Sequence, residues 1–78
     1  MTNAEIEQKI LDRCKFHHKE SSTFDSLMKM LGFEHGRRQE LALGVHVPES
    51  RILDQALQRL RKRGAIYFSK TSREWVTS

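Results

Sequence analysis

Residues 49–64 carry the side chains with the most specific potential chemistry in this chain. Read as a helix at about 100° per residue, the segment has a narrow apolar stripe that consists of Leu53, Ala56, Leu57 and Leu60. Its long polar side chains on the opposite side are Arg51, Gln55, Gln58 and Lys62, with Arg59 beside them. Arginine can donate two hydrogen bonds to guanine and glutamine can pair with adenine, whereas lysine binds phosphate. The pattern predicts base reading by these Arg and Gln residues, but the same residues also suit a solvated helix face.

The limits of this helix are marked by residues at both ends. Pro48 interrupts any preceding helix, and the hydroxyl of Ser50 can cap the new one. Gly64 occupies the position at which a left-handed C-cap is expected. Three basic residues at positions 61–63 would complement the negative end of the helix dipole, a purely structural role. We therefore predict a helix over residues 49–63.

After Gly64 the apolar spacing changes from helical to alternating. Ile66 and Phe68 would point to one side of a strand, residues 69–73 form a polar turn, and residues 74–77 resume the extended pattern. Such a hairpin is marginal alone in water and must pack on the helices. The sequence predicts a β-hairpin over residues 65–77, with Trp75 contributing to the core.

The first half of the chain favours further helices. Thr2 and Glu5 have the spacing of a capping box, and an apolar stripe predicts a helix within residues 1–18. Ser22 or Thr23 can cap a short helix over residues 23–31. A second short helix is predicted over residues 38–45.

A pattern of residues between positions 40 and 66 is similar to that of a known protein family. The pattern consists of Glu40-Leu41-Ala42, Val45, Val47-Pro48, Ser50, Ile52, Ala56-Leu57, Leu60 and Gly64-Ala65-Ile66. It resembles the second helix, turn, third helix and first wing strand of winged helix-turn-helix DNA-binding domains, over a little under half of the chain. The resemblance implies a single, mainly α domain with a C-terminal wing, in which helix 49–63 enters the major groove. His46 departs from the family pattern, because that turn position usually holds glycine.

The winged-helix plan has three helices and the sequence predicts four. Either the first helix is an extension or residues 23–31 are an insertion, and the sequence leaves both open. The resemblance further implies contacts to the DNA backbone or minor groove from the tip of the wing. The full set of expected backbone contacts is Arg37, Arg38, Ser50, Lys62, Lys70 and Arg73.

The positive charge is concentrated in the second half of the chain, which carries the family resemblance. Residues 1–36 hold five Lys/Arg and six Asp/Glu, a net charge of −1, whereas residues 37–78 hold nine and four, a net charge of +5. The sequence pI is about 9.6. Cations concentrated on one part of a small chain are typical of a protein that binds a polyanion.

Metal binding and catalysis find less support. Cys14, His17 and His18 have a spacing that could converge on an ion, with His35 as a fourth ligand, but no second ligand pair accompanies them. Phosphate-binding loops, nucleophile elbows and H-E-x-x-H motifs are lacking. We therefore predict no metal, no cofactor, no small-molecule substrate and no enzymatic activity.

The expected partner is double-stranded DNA, and the expected function is that of a small transcriptional regulator. Pairing through the N-terminal helix would place two reading helices about 34 Å apart on a palindromic site. The alternative is a winged-helix protein-interaction module or a subunit of a larger nucleic-acid-processing complex. RNA binding ranks third, because the aromatic motifs of single-strand readers are missing. One cysteine and the lack of leader or membrane segments predict a cytoplasmic protein, associated with the nucleoid if it is prokaryotic or from a phage.

Overall fold

The computed structural model describes residues 2–16 and 19–77, which form an α+β domain. The elements in chain order are α1 (Asn3–Lys15), α2 (Phe24–Leu31), β1 (Arg38–Ala42), β2 (Val45–Pro48), α3 (Glu49–Lys62), β3 (Ile66–Ser69) and β4 (Glu74–Thr77). The strands form two antiparallel hairpins, β1–β2 and β3–β4. In the described part of the chain, no helix has the length and apolar content needed to cross a bilayer.

The first two helices begin at the predicted caps. The Thr2 hydroxyl accepts a hydrogen bond from the Glu5 N–H at 3.2 Å, and the Thr23 hydroxyl accepts one from the Ser26 N–H at 3.3 Å. Gly32 ends α2 in the left-handed conformation, with φ of 73°. The predicted helix over 1–18 ends at Lys15. The prediction for positions 17 and 18 falls outside the described residues.

The helix predicted over residues 38–45 is wrong, because this segment forms the hairpin β1–β2. Ala42 pairs with Val45 across a two-residue loop in which Gly44 has φ of 76°, and Leu41 interrupts the register as a bulge. The alternating apolar residues at positions 41, 43, 45 and 47 have the period of a strand, and glycine permits the reversal between them. The predicted helix-turn-helix around Pro48 is therefore also wrong, and His46 lies within β2.

The core lies between the three helices and the base of the second hairpin. The predicted apolar stripe of α3 is confirmed, because its four residues are all buried. The remaining buried apolar residues around it are Ile6, Ile10, Cys14, Leu27, Met28, Leu31, Phe33, Ile52 and Ile66. Since α1 contributes every fourth residue from Ile6 to Cys14 to this core, the apolar stripe of α1 is used within the domain.

The second hairpin is fastened to the loop before α2 by a buried serine. Ser22 donates its backbone N–H to the Glu74 carboxylate at 2.8 Å and its hydroxyl to the Trp75 carbonyl at 2.6 Å. Trp75 packs on the core as predicted, and the Phe68 ring meets it edge-on with 5.4 Å between centroids. Phe68, which the alternation placed on the same side of the strand as Ile66, is 43% exposed, whereas Ile66 is buried. A short strand on a small core buries only its base.

A buried carboxylate joins the first hairpin to α3. Glu49, the first residue of α3, is 1% exposed. It accepts hydrogen bonds from the guanidinium of Arg37, from the Gln39 amide and from the Glu34 N–H at 3.0 Å. The Arg37 guanidinium also donates to the Gly32 carbonyl at the end of α2. One carboxylate therefore connects the end of α2, both ends of the intervening loop and the start of α3.

The environment of Glu49 lowers the pKa of its carboxyl. Burial alone would raise this pKa, but the hydrogen bonds from Arg37, Gln39 and the Glu34 N–H, together with the charge of Arg37, outweigh burial. The same contact with Glu49 raises the pKa of Arg37. The pair is therefore charged at neutral pH.

Replacing Glu49 with alanine should reduce the free energy of unfolding by about 2–4 kcal/mol, because the donors of Arg37 and Gln39 lose a buried charged acceptor. Urea-induced unfolding measures this loss. The matched control is Glu40→Ala, which removes an exposed carboxylate from the same hairpin and should cost no more than about 0.5 kcal/mol. Equal losses in the two variants would contradict the role assigned to Glu49.

Stability should also depend on pH through this carboxyl. Because the folded pKa is lowered from its ordinary value of 4.5, the stabilisation is complete above that value and is lost as the pH falls through the folded pKa. Unfolding free energies from pH 7 to about pH 3 should therefore fall more steeply for the wild type than for Glu49→Gln. Parallel curves for the two proteins would show that Glu49 is not the group that titrates.

Candidate nucleic-acid interface

The outward face of α3 carries three of the side chains that the sequence singled out. Arg51, Gln55 and Lys62 are exposed. Among the described residues, no hydrogen bond or ion pair engages their side-chain polar atoms. Because the opposite side of α3 is buried, packing holds this face toward solvent. Gln58 is half-buried on the same side, and its amide oxygen accepts a hydrogen bond from Arg61 at 3.4 Å.

Arg59 does not join this row. It lies at the flank of α3 next to α1, where its Nε is 3.7 Å from the Glu7 carboxylate, and its side chain is 39% exposed. Arg63 approaches the same carboxylate at 3.6 Å. The Nε and one terminal nitrogen of Arg59 are buried without a hydrogen-bond partner. Packing of α1 along α3 therefore separates Arg59 from the predicted base readers, which the helical wheel alone could not show.

The three residues expected to contact phosphates near the start of α3 have different surroundings. Arg37 is committed to Glu49, as described above. Arg38 is exposed and donates a hydrogen bond to the His46 carbonyl at 2.8 Å. Ser50 lies inside the first turn of α3, and the prediction that it caps the helix is wrong, because Pro48 is the N-cap and provides no side-chain hydrogen bond. Pro48 is both the last residue of β2 and the N-cap, so the helix starts two residues earlier than it would with Ser50 as its cap.

The tip of the second hairpin carries two exposed cations, Lys70 and Arg73. Arg73 has φ of 58°, and its N–H closes the turn on the Ser69 carbonyl at 2.7 Å. A left-handed conformation is uncommon for arginine, so the turn itself holds this residue at the tip. Tyr67 and Phe68 on β3 also expose much of their rings. The hairpin thus combines cations with aromatic surface.

A shallow groove beside α3 brings in two residues that sequence reasoning did not assign to the site. Its lining consists of Phe24, Pro48, Ser50, Arg51, Asp54 and Gln55. Asp54 is exposed and lies one helical turn from Arg51, a spacing that the sequence does contain. Phe24 begins α2 and reaches the groove only through the packing of α2 on α3. The Asp54 carboxylate, which accepts hydrogen bonds, therefore lies beside the donor groups of Arg51 and Gln55 and beside apolar surface at the start of α3.

The segment that contains α3 and the tip of the second hairpin has a positive net charge. Between positions 51 and 73 the sequence has seven Lys/Arg and a single carboxylate, Asp54. The nearby carboxylates of Glu49 and Glu74 are occupied by internal hydrogen bonds. Arg59 and Arg63 approach Glu7. No carboxylate partner among the described residues engages Arg51, Lys62, Lys70 or Arg73. Such cations create a positive potential that attracts polyanions.

The candidate metal and nucleophile residues do not assemble in the described part of the chain. Cys14 is buried, and burial raises the pKa of its thiol to about 11, against an opposing effect of Arg13 and with a smaller contribution from Glu74. His35 pairs with Asp25 at 3.0 Å. The described residues contain no group of three or more His, Cys, Asp or Glu side chains able to hold a metal ion. The predictions for His17 and His18 fall outside the described residues.

Cys14 should react slowly with thiol reagents in the folded protein, because it is buried and its thiolate is scarce near pH 8. The rate of reaction with a chromogenic disulfide reagent at pH 8 checks this expectation. The same protein unfolded in urea should react at the rate of an ordinary thiol. Equal rates in the two states would contradict the burial of Cys14.

Comparisons with protein-family models, with curated proteins and with solved structures gave no match to this chain. The function is therefore inferred from the side chains that the fold presents.

Proposed function

We propose that this chain is a sequence-specific double-stranded DNA-binding module. The outward face of α3 reads base edges in the major groove, and the hairpin β3–β4 contacts the backbone or the adjacent minor groove. In this proposal α3 and the hairpin β3–β4 act as the reading helix and the wing of a winged helix do, although the hairpin β1–β2 directly precedes α3. Regulation of transcription is the biological use that we propose for a module of this size.

The observation that carries the proposal is the division of α3 into two faces. One face is buried in the core, and the other leaves Arg51, Gln55 and Lys62 exposed and available. A helix of 14 residues is about 20 Å long and about 10–12 Å wide, which suits the roughly 12 Å width of the major groove. Arg51 and Gln55 lie about 6 Å apart along the axis, a separation of about two base pairs.

Two further features support the same partner. Lys62 lies about 16 Å along the helix from Arg51, where it can reach phosphate while Arg51 reads a base. The second hairpin follows α3 after a turn at Gly64. Lys70 and Arg73 at its tip therefore belong to the same positively charged segment, residues 51–73, as α3. Asp54 in the groove beside α3 suits contact with a base edge better than contact with a phosphate. A carboxylate can accept a hydrogen bond from the exocyclic amine of cytosine.

Binding to a random DNA duplex should be strongly salt-dependent. If Arg38, Lys62, Lys70 and Arg73 each neutralise one phosphate, the logarithm of the association constant should fall with the logarithm of salt concentration with a slope of about −3.6. Fluorescence anisotropy of a labelled duplex measures this slope. Lys70→Ala should make the slope shallower by about 0.9 on every sequence, whereas Lys9→Ala on α1 should leave it unchanged. No binding at low salt would reject the proposal.

Base reading predicts a different effect for Gln55. After a preferred site has been selected from random oligonucleotides, Gln55→Ala should weaken binding to that site by about 1–3 kcal/mol and relax the preference at one base position. The matched control is Gln8→Ala, an exposed glutamine on α1 that should not affect binding. An equal loss on all sequences would leave a DNA-binding protein but would rule out direct reading by Gln55.

A further inference from the structure

The free end of the hairpin β1–β2 is an exposed apolar feature that the proposed function does not use. All residues from 40 to 46 are exposed. Three of them are bulky and apolar, with exposures of 56% for Leu41, 97% for Leu43 and 50% for Val45. We call these three residues the apolar tip. Clustered exposed apolar side chains in a small protein mark a contact surface more often than scattered ones do.

The base of this hairpin is anchored, so the tip is held in a defined position. Gln39 donates a hydrogen bond to buried Glu49, and its strand partner Val47 packs against the core. The two-residue loop at positions 43 and 44 then projects the tip beyond the domain. A two-stranded ribbon alone is marginal in water, and here only its base is covered by the domain.

The charge at the free end of this hairpin argues against DNA as the occupant of the tip, because Arg38, the cation of β1, lies at the base opposite Pro48. The ionisable residues between positions 39 and 47 are Glu40 and His46, whose side chains face each other at 3.6 Å. With His46 neutral the net charge of this segment is −1, in a chain of net charge +4. A segment with an exposed carboxylate and no lysine or arginine gains nothing from phosphate.

We infer that the apolar tip is a contact surface for a second copy of this chain. A two-fold contact requires a surface that is complementary to itself. The tip meets this requirement, because it is apolar and its charged pair is internally matched, whereas two copies of the cationic α3 face would repel. Each strand of the hairpin also has one edge without a partner strand among the described residues, so a second copy can add backbone hydrogen bonds.

The size of the surface sets the strength of this association. Three such side chains bury on the order of 300 Å² per copy, whereas a stable complex buries about 800 Å² per partner. The contact is therefore weak and reversible, and the chain is a monomer when dilute. This association differs from the pairing through α1 that the sequence suggested, since the apolar residues of α1 are already buried in the core.

Sedimentation velocity of the full chain without DNA tests the inference. From about 10 μM to about 1 mM, the wild type should shift from monomer toward dimer. Leu43→Ser, at a position too exposed to affect folding, should weaken the association at least about tenfold. Phe16→Ser is the matched control, because it removes an exposed apolar side chain outside the hairpin and should associate like the wild type.

Hydrogen exchange gives a second readout. The amides of residues 41–46 should exchange more slowly at high than at low protein concentration, and Leu43→Ser should remove this difference. A wild type that stays monomeric at 1 mM, or a dimer that Leu43→Ser leaves intact, overturns the inference. A monomeric wild type in which Leu43→Ser weakens DNA binding instead would assign the tip to DNA and equally overturn it. Because the association is measured without DNA, its failure and that of the proposed function are distinguishable.

Discussion

The arrangement of this domain depends on a single buried carboxylate at the start of α3. Glu49 is held by Gln39 of the first hairpin, by Arg37 directly before that hairpin, and by the Glu34 N–H of the loop after α2. A buried carboxylate without these donors would be strongly unfavourable, so the hairpin and the helix must keep one relative orientation for the charge to be satisfied. Arg37 therefore has a structural role, although the sequence suggested a phosphate contact.

The orientation set at Glu49 also fixes what α3 presents to solvent. Its apolar side is packed against α1 and α2, and the position of α1 draws Arg59 and Arg63 toward Glu7. The predicted DNA-contacting side chains left exposed on the opposite side are those of Arg51, Gln55 and Lys62. The proposed reading face thus consists of polar side chains of α3 that contact neither the core nor α1.

The two hairpins differ in both anchoring and surface chemistry. The hairpin β3–β4 is tied to Ser22 and ends in cations, whereas the hairpin β1–β2 is tied to Glu49 and ends in leucine. One is suited to a polyanion and the other to an apolar partner. A chain of 78 residues in this way presents two surfaces of different chemistry on one small core.

The sequence by itself determined the elements whose signals are local. The N-caps at Thr2 and Thr23, the left-handed conformation of Gly64 after the C-cap of α3, and the apolar stripe of α3 depend on neighbouring residues and their period. The structure confirms all of them. The tertiary structure decided the segment 38–48, where the apolar spacing suits either a helix or a strand. It also decided the partners of Glu49 and Arg59. These partners come from other elements of the fold, and the packing of those elements sets which residues meet.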